Sequence, residues 1–107
     1  MFEVRRYRTT AGDEPVTEWL LELNDAQARA RINARIARLA AGNFGDCKPL
    51  RGGVWELRVD WGPGYRVYYA RIGRSVVLLL RAGDKRRQNP DIGRAIEYLD
   101  DFRRRTL

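Results

Sequence analysis

The stretch Trp55-Glu56-Leu57-Arg58-Val59-Asp60-Trp61, then Gly62-Pro63-Gly64, then Tyr65-Arg66-Val67-Tyr68-Tyr69 decides how this chain folds. Apolar and polar residues alternate on both sides of a glycine–proline–glycine turn, which marks a hairpin with one buried face. Taking Gly62-Pro63-Gly64 as the loop pairs Trp61 with Tyr65, Asp60 with Arg66, Val59 with Val67, Arg58 with Tyr68 and Leu57 with Tyr69. Leu57, Val59, Val67 and Tyr69 then share one face, and Glu56, Arg58, Asp60, Arg66 and Tyr68 share the other. A register shift or a bulge at the glycines would change these pairings. The charged face has two readings at this point. It is a set of exposed ion pairs, each worth less than about 1 kcal/mol, or a wet face that holds a phosphate.

The sequence beyond the hairpin favours the phosphate. Residues 75–82 continue the meander after Gly73-Arg74, and Val76-Val77-Leu78-Leu79-Leu80 is apolar on both faces, as expected of a covered interior strand. Next comes Ala82-Gly83-Asp84-Lys85-Arg86-Arg87-Gln88, a basic loop before a final helix. Free N–H groups at a helix start already favour an anion. Cations from two strands and this loop are therefore expected to converge at one end of the sheet, the alternative being a solvated charge run.

Upstream, Phe2 to Thr9 reads as a first strand. Asp13 is expected to cap a helix with Pro15 in its first turn and Val16, Trp19, Leu20 and Leu23 as its apolar stripe. A second helix starts at Asn24 or Asp25 and ends near Gly42, with Ala28, Ile32, Ile36 and Leu39 facing inward. The near absence of a linker predicts an αα-hairpin. Arg31, Arg35 and Arg38 form a second stripe on that helix, either a solvated face or a docking surface for nucleic acid. Gly45, Cys47 and Pro49 fall in a loop. Asn89-Pro90-Asp91 reads as a helix start, with Ile92, Ile96, Leu99 and Phe102 buried and Arg103, Arg104 and Arg105 at the C-terminal end. The fold class is α+β: N-terminal strand, αα-hairpin, antiparallel β-meander and C-terminal helix, expected as a single domain over 1–107.

Composition narrows the chemistry. With 107 residues, the chain is expected to bury about two-thirds of its unfolded surface. It carries 21 Lys plus Arg against 14 Asp plus Glu, a net charge of +7, which favours an anionic partner and nucleic acid first. The chain has no histidine, which excludes His-based acid–base pairs, Ser-His-Asp triads and almost every zinc site. The single cysteine, Cys47, excludes an internal disulfide. No apolar run approaches the roughly 20 residues of a membrane span, and no signal-peptide core is visible, so a cytoplasmic protein is expected. Phosphoryl chemistry on such a chain has to rely on electrostatics, because arginine neutralises developing charge but is a poor proton acceptor. Base or acid candidates are Glu56, Asp84, Lys85 and Tyr68. For a nuclease of this kind RNA is the better substrate, because its own 2′-OH supplies a nucleophile.

Gly53-Val54-Trp55-Glu56-Leu57-Arg58, then Gly62-Pro63-Gly64-Tyr65-Arg66-Val67-Tyr68-Tyr69, then the apolar strand and Gly83-Asp84-Lys85, closely resembles the phage-derived HigB-like addiction-module killer proteins. These belong to the RelE/ParE toxin superfamily, and the order of elements matches over nearly the whole chain. The resemblance implies a toxin of a type II toxin–antitoxin system, held by a cognate antitoxin of helix-turn-helix type. It implies metal-independent, ribosome-dependent cleavage of mRNA through 2′-OH attack, with no cofactor and no membrane. Carried over by motif, Arg66 is expected at the scissile phosphate, Arg58 beside it and Lys85 before the last helix, as the catalytic set. Lys48, Arg51, Arg86, Arg87 and Tyr68 are then expected to hold RNA, with Glu56 and Asp84 in support. Some relatives carry a catalytic tyrosine in the C-terminal helix. Tyr98 is the candidate here, but it lies beside the buried stripe and reads as core. Two rival functions remain: a ParE-like inhibitor of DNA gyrase without catalysis, and a basic RNA-binding module.

Overall fold

A computed structural model describes residues 1–106, and in it the alternating stretch forms the middle of a five-stranded sheet. The elements run β1 (Glu3–Arg6), α1 (Pro15–Glu22), α2 (Ala26–Ala40), β2 (Cys47–Pro49), β3 (Trp55–Val59), β4 (Tyr65–Ile72) and β5 (Val76–Asp84), then a 3₁₀ turn (Lys85–Arg87) and α3 (Gln88–Arg105). Strand order is β1-β5-β4-β3-β2. The meander β3-β4-β5 is antiparallel as expected, and β2 adds to β3 within what reads from sequence as a loop. β1 is shorter than Phe2 to Thr9 and pairs with β5 in parallel, with Val4 opposite Val77. The result is an α+β fold on a mixed sheet.

The hairpin register differs from the expected one by two residues. Val59 pairs with Tyr65, Arg58 with Arg66, Leu57 with Val67 and Glu56 with Tyr68. Within the loop, the Trp61 N–H donates to Val59 O (3.1 Å) and the Gly64 N–H to Trp61 O (2.9 Å), so Asp60 and Trp61 belong to the loop. An even shift preserves side-chain parity, so the assignment of residues to faces stands.

The face carrying Leu57, Val67, Tyr69 and Leu79 packs on Val16, Leu20, Ile32 and Leu39 of α1 and α2. The opposite face is not open as the sequence suggests. Ile92, Ala95 and Leu99 of α3 cover Tyr68, Leu78 and Leu80, leaving Tyr68 fully buried and Glu56 only 1% exposed. Amphipathic α3, with three apolar residues on one stripe, needs that face to bury them.

A bulge in β5 controls what reaches α3. Tyr68 pairs with Arg81 and Tyr69 with Leu79, so Leu80 is an extra residue. Leu78 and Leu80 lie on the α3 side, and Ala82 lies on the α1/α2 side. The bulge reverses the alternation between Leu80 and Ala82 and turns Arg81 toward α3. There the Arg81 Nε donates to Asp91 Oδ1 (3.1 Å), and Asp91 is 2% exposed.

The helix starts follow capping chemistry, with two corrections. α2 begins as expected: Asp25 Oδ1 accepts the N–H groups of Gln27 (3.0 Å) and Ala28 (3.1 Å). Asp13 does not cap α1; Glu14 holds that position without a side-chain cap bond, and Asp13 closes a turn with Thr9. α3 starts at Gln88, ahead of Asn89, because the 3₁₀ turn feeds directly into it and Asp84 caps that turn through the Arg86 N–H (2.9 Å).

Both the bulge and the α2 cap can be tested by substitution. A Cβ at Gly83 would overlap Asp91 Oδ2, and moving Asp91 breaks its buried pair with Arg81. Gly83→Ala should therefore lose about 1–3 kcal/mol in a urea titration, with an unchanged denaturant slope. The Asp25 carboxyl is held below its ordinary value, chiefly by the Ala28 N–H. A lowered folded pKa means its stabilisation is present above the unfolded value and is lost as pH falls through the folded one. The thermal midpoint should fall more steeply below about pH 4 in the wild type than in Asp25→Asn, whose neutral amide still caps.

Candidate active site

The side chains expected to act together do meet. At the turn end of the β3–β4 hairpin, Arg58, Arg66 and Lys85 line one cleft of about 380 Å³ with Asp46, Asp60, Gly62, Pro63 and Gly64. Arg58 and Arg66 sit directly opposite each other on adjacent strands, where like charges repel. Each has its own carboxylate. Asp46 Oδ1 accepts from Arg58 Nη2 (2.6 Å) and Nε (3.0 Å), and Glu56 Oε1 accepts from Arg66 Nε (3.1 Å).

The two pairs differ in stiffness. Glu56 also accepts from Gln88 Nε2 at the start of α3 (3.0 Å), and Arg66 is mostly shielded, so Arg66 is held in place. Arg58 and Asp46 are 37% and 50% exposed, so water screens the pair and leaves it weak. Arg58 can therefore exchange Asp46 for another anion at little cost, whereas Arg66 presents a fixed fork.

Lys85 joins the cleft through glycine geometry. Its N–H donates to Gly64 O (2.9 Å), and its aliphatic stem lies over Gly64, where an added Cβ would sit 3.5 Å from Lys85 Cδ and 3.8 Å from Arg66 Nη1. Gly64 has φ +86°, a conformation that costs other residues energy, so one glycine both turns the loop and lets the two cations approach.

The other expected residues divide. Lys48, Arg51, Arg86 and Arg87 are exposed, but none lines the cleft. Lys48 pairs with Glu56 across β2 and β3 and so shares the face of Arg58. Asp84 engages Arg86 (3.0 Å) rather than Lys85, and the Arg86 guanidinium holds the Asp84 carboxyl below its ordinary value. Tyr68 is corrected from an RNA contact to a core residue: α3 covers it completely, and its hydroxyl finds no partner among the described residues. Burial, then the nearby Glu56 and Asp91 carboxylates, push its pKa well up. Glu56 and Tyr68 are therefore poorly placed as acid or base. Tyr98 stacks on Tyr7 with centroids 4.7 Å apart, packed against the α3-side core.

Asp46 and Gln88 do not stand out in the sequence as site residues. The signal for Asp46 is indirect: with Lys48 opposite Glu56, the next residue on the same face, Asp46, falls opposite Arg58, and the Arg58 N–H donates to Asp46 O (2.9 Å). Among the described residues, no group of three or more His, Cys, Asp or Glu is placed to hold a metal ion, and no helix is long and apolar enough to cross a membrane.

Residues 18–99 match the family described as "Phage derived protein Gp49-like (DUF891)", and that span contains every residue lining the cleft. The chain belongs to this family. An uncharacterized protein of Haemophilus influenzae is 51% identical over 77 residues, covering 72% of this chain and 78% of the relative. The Gp49-like family is a toxin-like family of toxin–antitoxin systems. In this Gp49-like chain the cationic cleft is a surface feature, and the carboxylate that organises it is buried.

That division is testable. Glu56→Ala leaves Arg66 without its buried partner and should destabilise the protein by about 3 kcal/mol in chemical denaturation. Tyr68→Phe removes only an unbonded hydroxyl and should stay within about 1 kcal/mol of the wild type.

Proposed function

We propose that this protein is the toxin of a type II toxin–antitoxin module, of the HigB-like branch of the RelE/ParE superfamily, and that it cleaves mRNA on the ribosome. The observation that carries this reading is the single cleft in which Arg58, Arg66 and Lys85 converge. Arg66 fixes a non-bridging oxygen of the scissile phosphate, and Arg58 exchanges Asp46 for a second one. The ribose 2′-oxygen attacks phosphorus, forming the P–O2′ bond as the P–O5′ bond breaks, which leaves a 2′,3′-cyclic phosphate and a 5′-hydroxyl. Asp60, a carboxylate of the cleft with no ion-pair partner among the described residues, takes the 2′-OH proton. The Lys85 ammonium supplies the proton that the leaving 5′-oxygen needs. Both arginines stabilise the phosphorane charge. The ribosome is the partner that presents the mRNA, and a helix-turn-helix antitoxin is the partner that silences the cleft.

One observation favours a second reading. Neither Tyr68, which is buried, nor Tyr98, which is stacked on Tyr7, lines the cleft, so the acid–base set is thin. A ParE-like inhibitor that binds gyrase needs no such set.

Purified protein incubated with a defined mRNA on programmed ribosomes should cut it, and Arg66→Ala should lower the rate by about 10²–10³. Intact mRNA from a chain that still arrests growth overturns the ribonuclease reading. Gyrase supercoiling is then the assay that reads the rival.

A further inference from the structure

The cleft does not end at Asp60. A second depression of about 290 Å³ begins there, lined by Arg31, Ala34, Arg35, Arg38, Val59 and Asp60. Asp60 lines both, and Arg35 joins them physically, because its Nη1 donates to Arg58 O (2.7 Å) and its Nη2 to Phe44 O (3.2 Å). The backbone that carries Arg58 into the cleft is thus clamped by the arginine face of α2.

That face is electrostatically odd. α2 contains four arginines and no acid. Arg29 turns back to Leu23 O, but Arg31, Arg35 and Arg38 pair with no carboxylate among the described residues. Solvated helix faces commonly mix charges at i,i+3 and i,i+4. Like charges at those spacings, as in Arg31–Arg35 and Arg35–Arg38, oppose helix formation. Arg31 is also preset: its guanidinium stacks 3.8 Å over the Trp61 ring, and the Trp61 N–H is tied to Asp25 Oδ2 (3.3 Å). Stacking occupies the guanidinium face and leaves its in-plane N–H edge for an anion. Arg31 and Arg38 lie two turns apart, roughly 10 Å along the helix, which suits an extended polyanion better than a single phosphate.

We propose that the α2 face is the continuation of the substrate track and holds the backbone of a single RNA strand whose scissile phosphate lies in the Arg58–Arg66–Lys85 cleft. This rests on the reading of that cleft as an RNA site. Arg31 and Arg38 bind the phosphates, and Arg35 acts as a positioning residue for β3.

The test is fluorescence anisotropy with a labelled 2′-O-methyl RNA strand of about 12 nucleotides, which cannot undergo 2′-OH attack, across a salt series. Removing one arginine–phosphate interaction with a single strand lowers the salt slope by about 0.7 and, at about 0.1 M salt, weakens binding roughly fivefold. Arg31→Ala/Arg38→Ala should thus bind about 25-fold more weakly, with a slope about 1.4 smaller. Both residues are exposed, so the fold is retained, and Arg31→Lys/Arg38→Lys should recover most of the affinity. The control is Arg5→Ala/Arg74→Ala, which removes equal charge from the far edge strand and the β4–β5 turn and should bind within about threefold of the wild type. An equal loss in both pairs, or none in the α2 pair, overturns the track even if ribosomal cleavage still depends on Arg66. Loss confined to the α2 pair, from a protein that cuts no mRNA, supports the track and removes the nuclease reading. No RNA binding by the wild type overturns the track, while cleavage on programmed ribosomes remains the separate test of the nuclease reading.

Discussion

A carboxylate with almost no contact with water holds this structure in its working arrangement. Glu56 sits on β3 beneath α3, where an unpaired charge would cost several kcal/mol. It is compensated from two directions, by the Arg66 guanidinium of β4 and by the Gln88 amide at the start of α3. The same oxygen therefore ties the sheet to its covering helix and points a cation at the cleft. Packing and chemistry share one atom.

The surrounding charges are arranged by degree of shielding. Arg66 is anchored, Arg58 is held by an exposed carboxylate that water already weakens, and Lys85 is carried by its backbone bond to Gly64. Three cations in one cleft repel one another. The chain limits that repulsion by giving two of them carboxylates and placing the third on a flexible stem. A gradient from fixed to movable positive charge suits a ligand that must first be located and then gripped.

Much of this is legible in the residues because parity survives errors of register. The turn at Gly62-Pro63-Gly64 reads as shorter than it is, yet the shift is by two, so Glu56, Arg58 and Arg66 still fall on one face. Asp25 as a cap and the stripe Ala28, Ile32, Ile36 and Leu39 follow from local chemistry and hold in the structure. What the residues hide is non-local. Nothing in the alternation of Tyr68 says that α3 will cover it, so its phenol looks wet. β2 is too short to show a period, which conceals Asp46. β1 pairs with β5 across most of the chain, and only the tertiary fold reveals that partnership.

The extra residue at Leu80 divides β5 into two segments of opposite phase. Up to Leu80 the strand is an interior plank whose outward residues serve the helix-covered core. After it, the same strand faces Arg81 to Asp91 and leads directly into Lys85, which lines the cleft. An uninterrupted strand would have placed Arg81 among Val67, Tyr69 and Leu79, a charge in an apolar layer. Length, not composition, is thus the quantity most tightly constrained in this strand: side chains along it can be exchanged for others of like size, but adding or removing a single residue would swap its two faces.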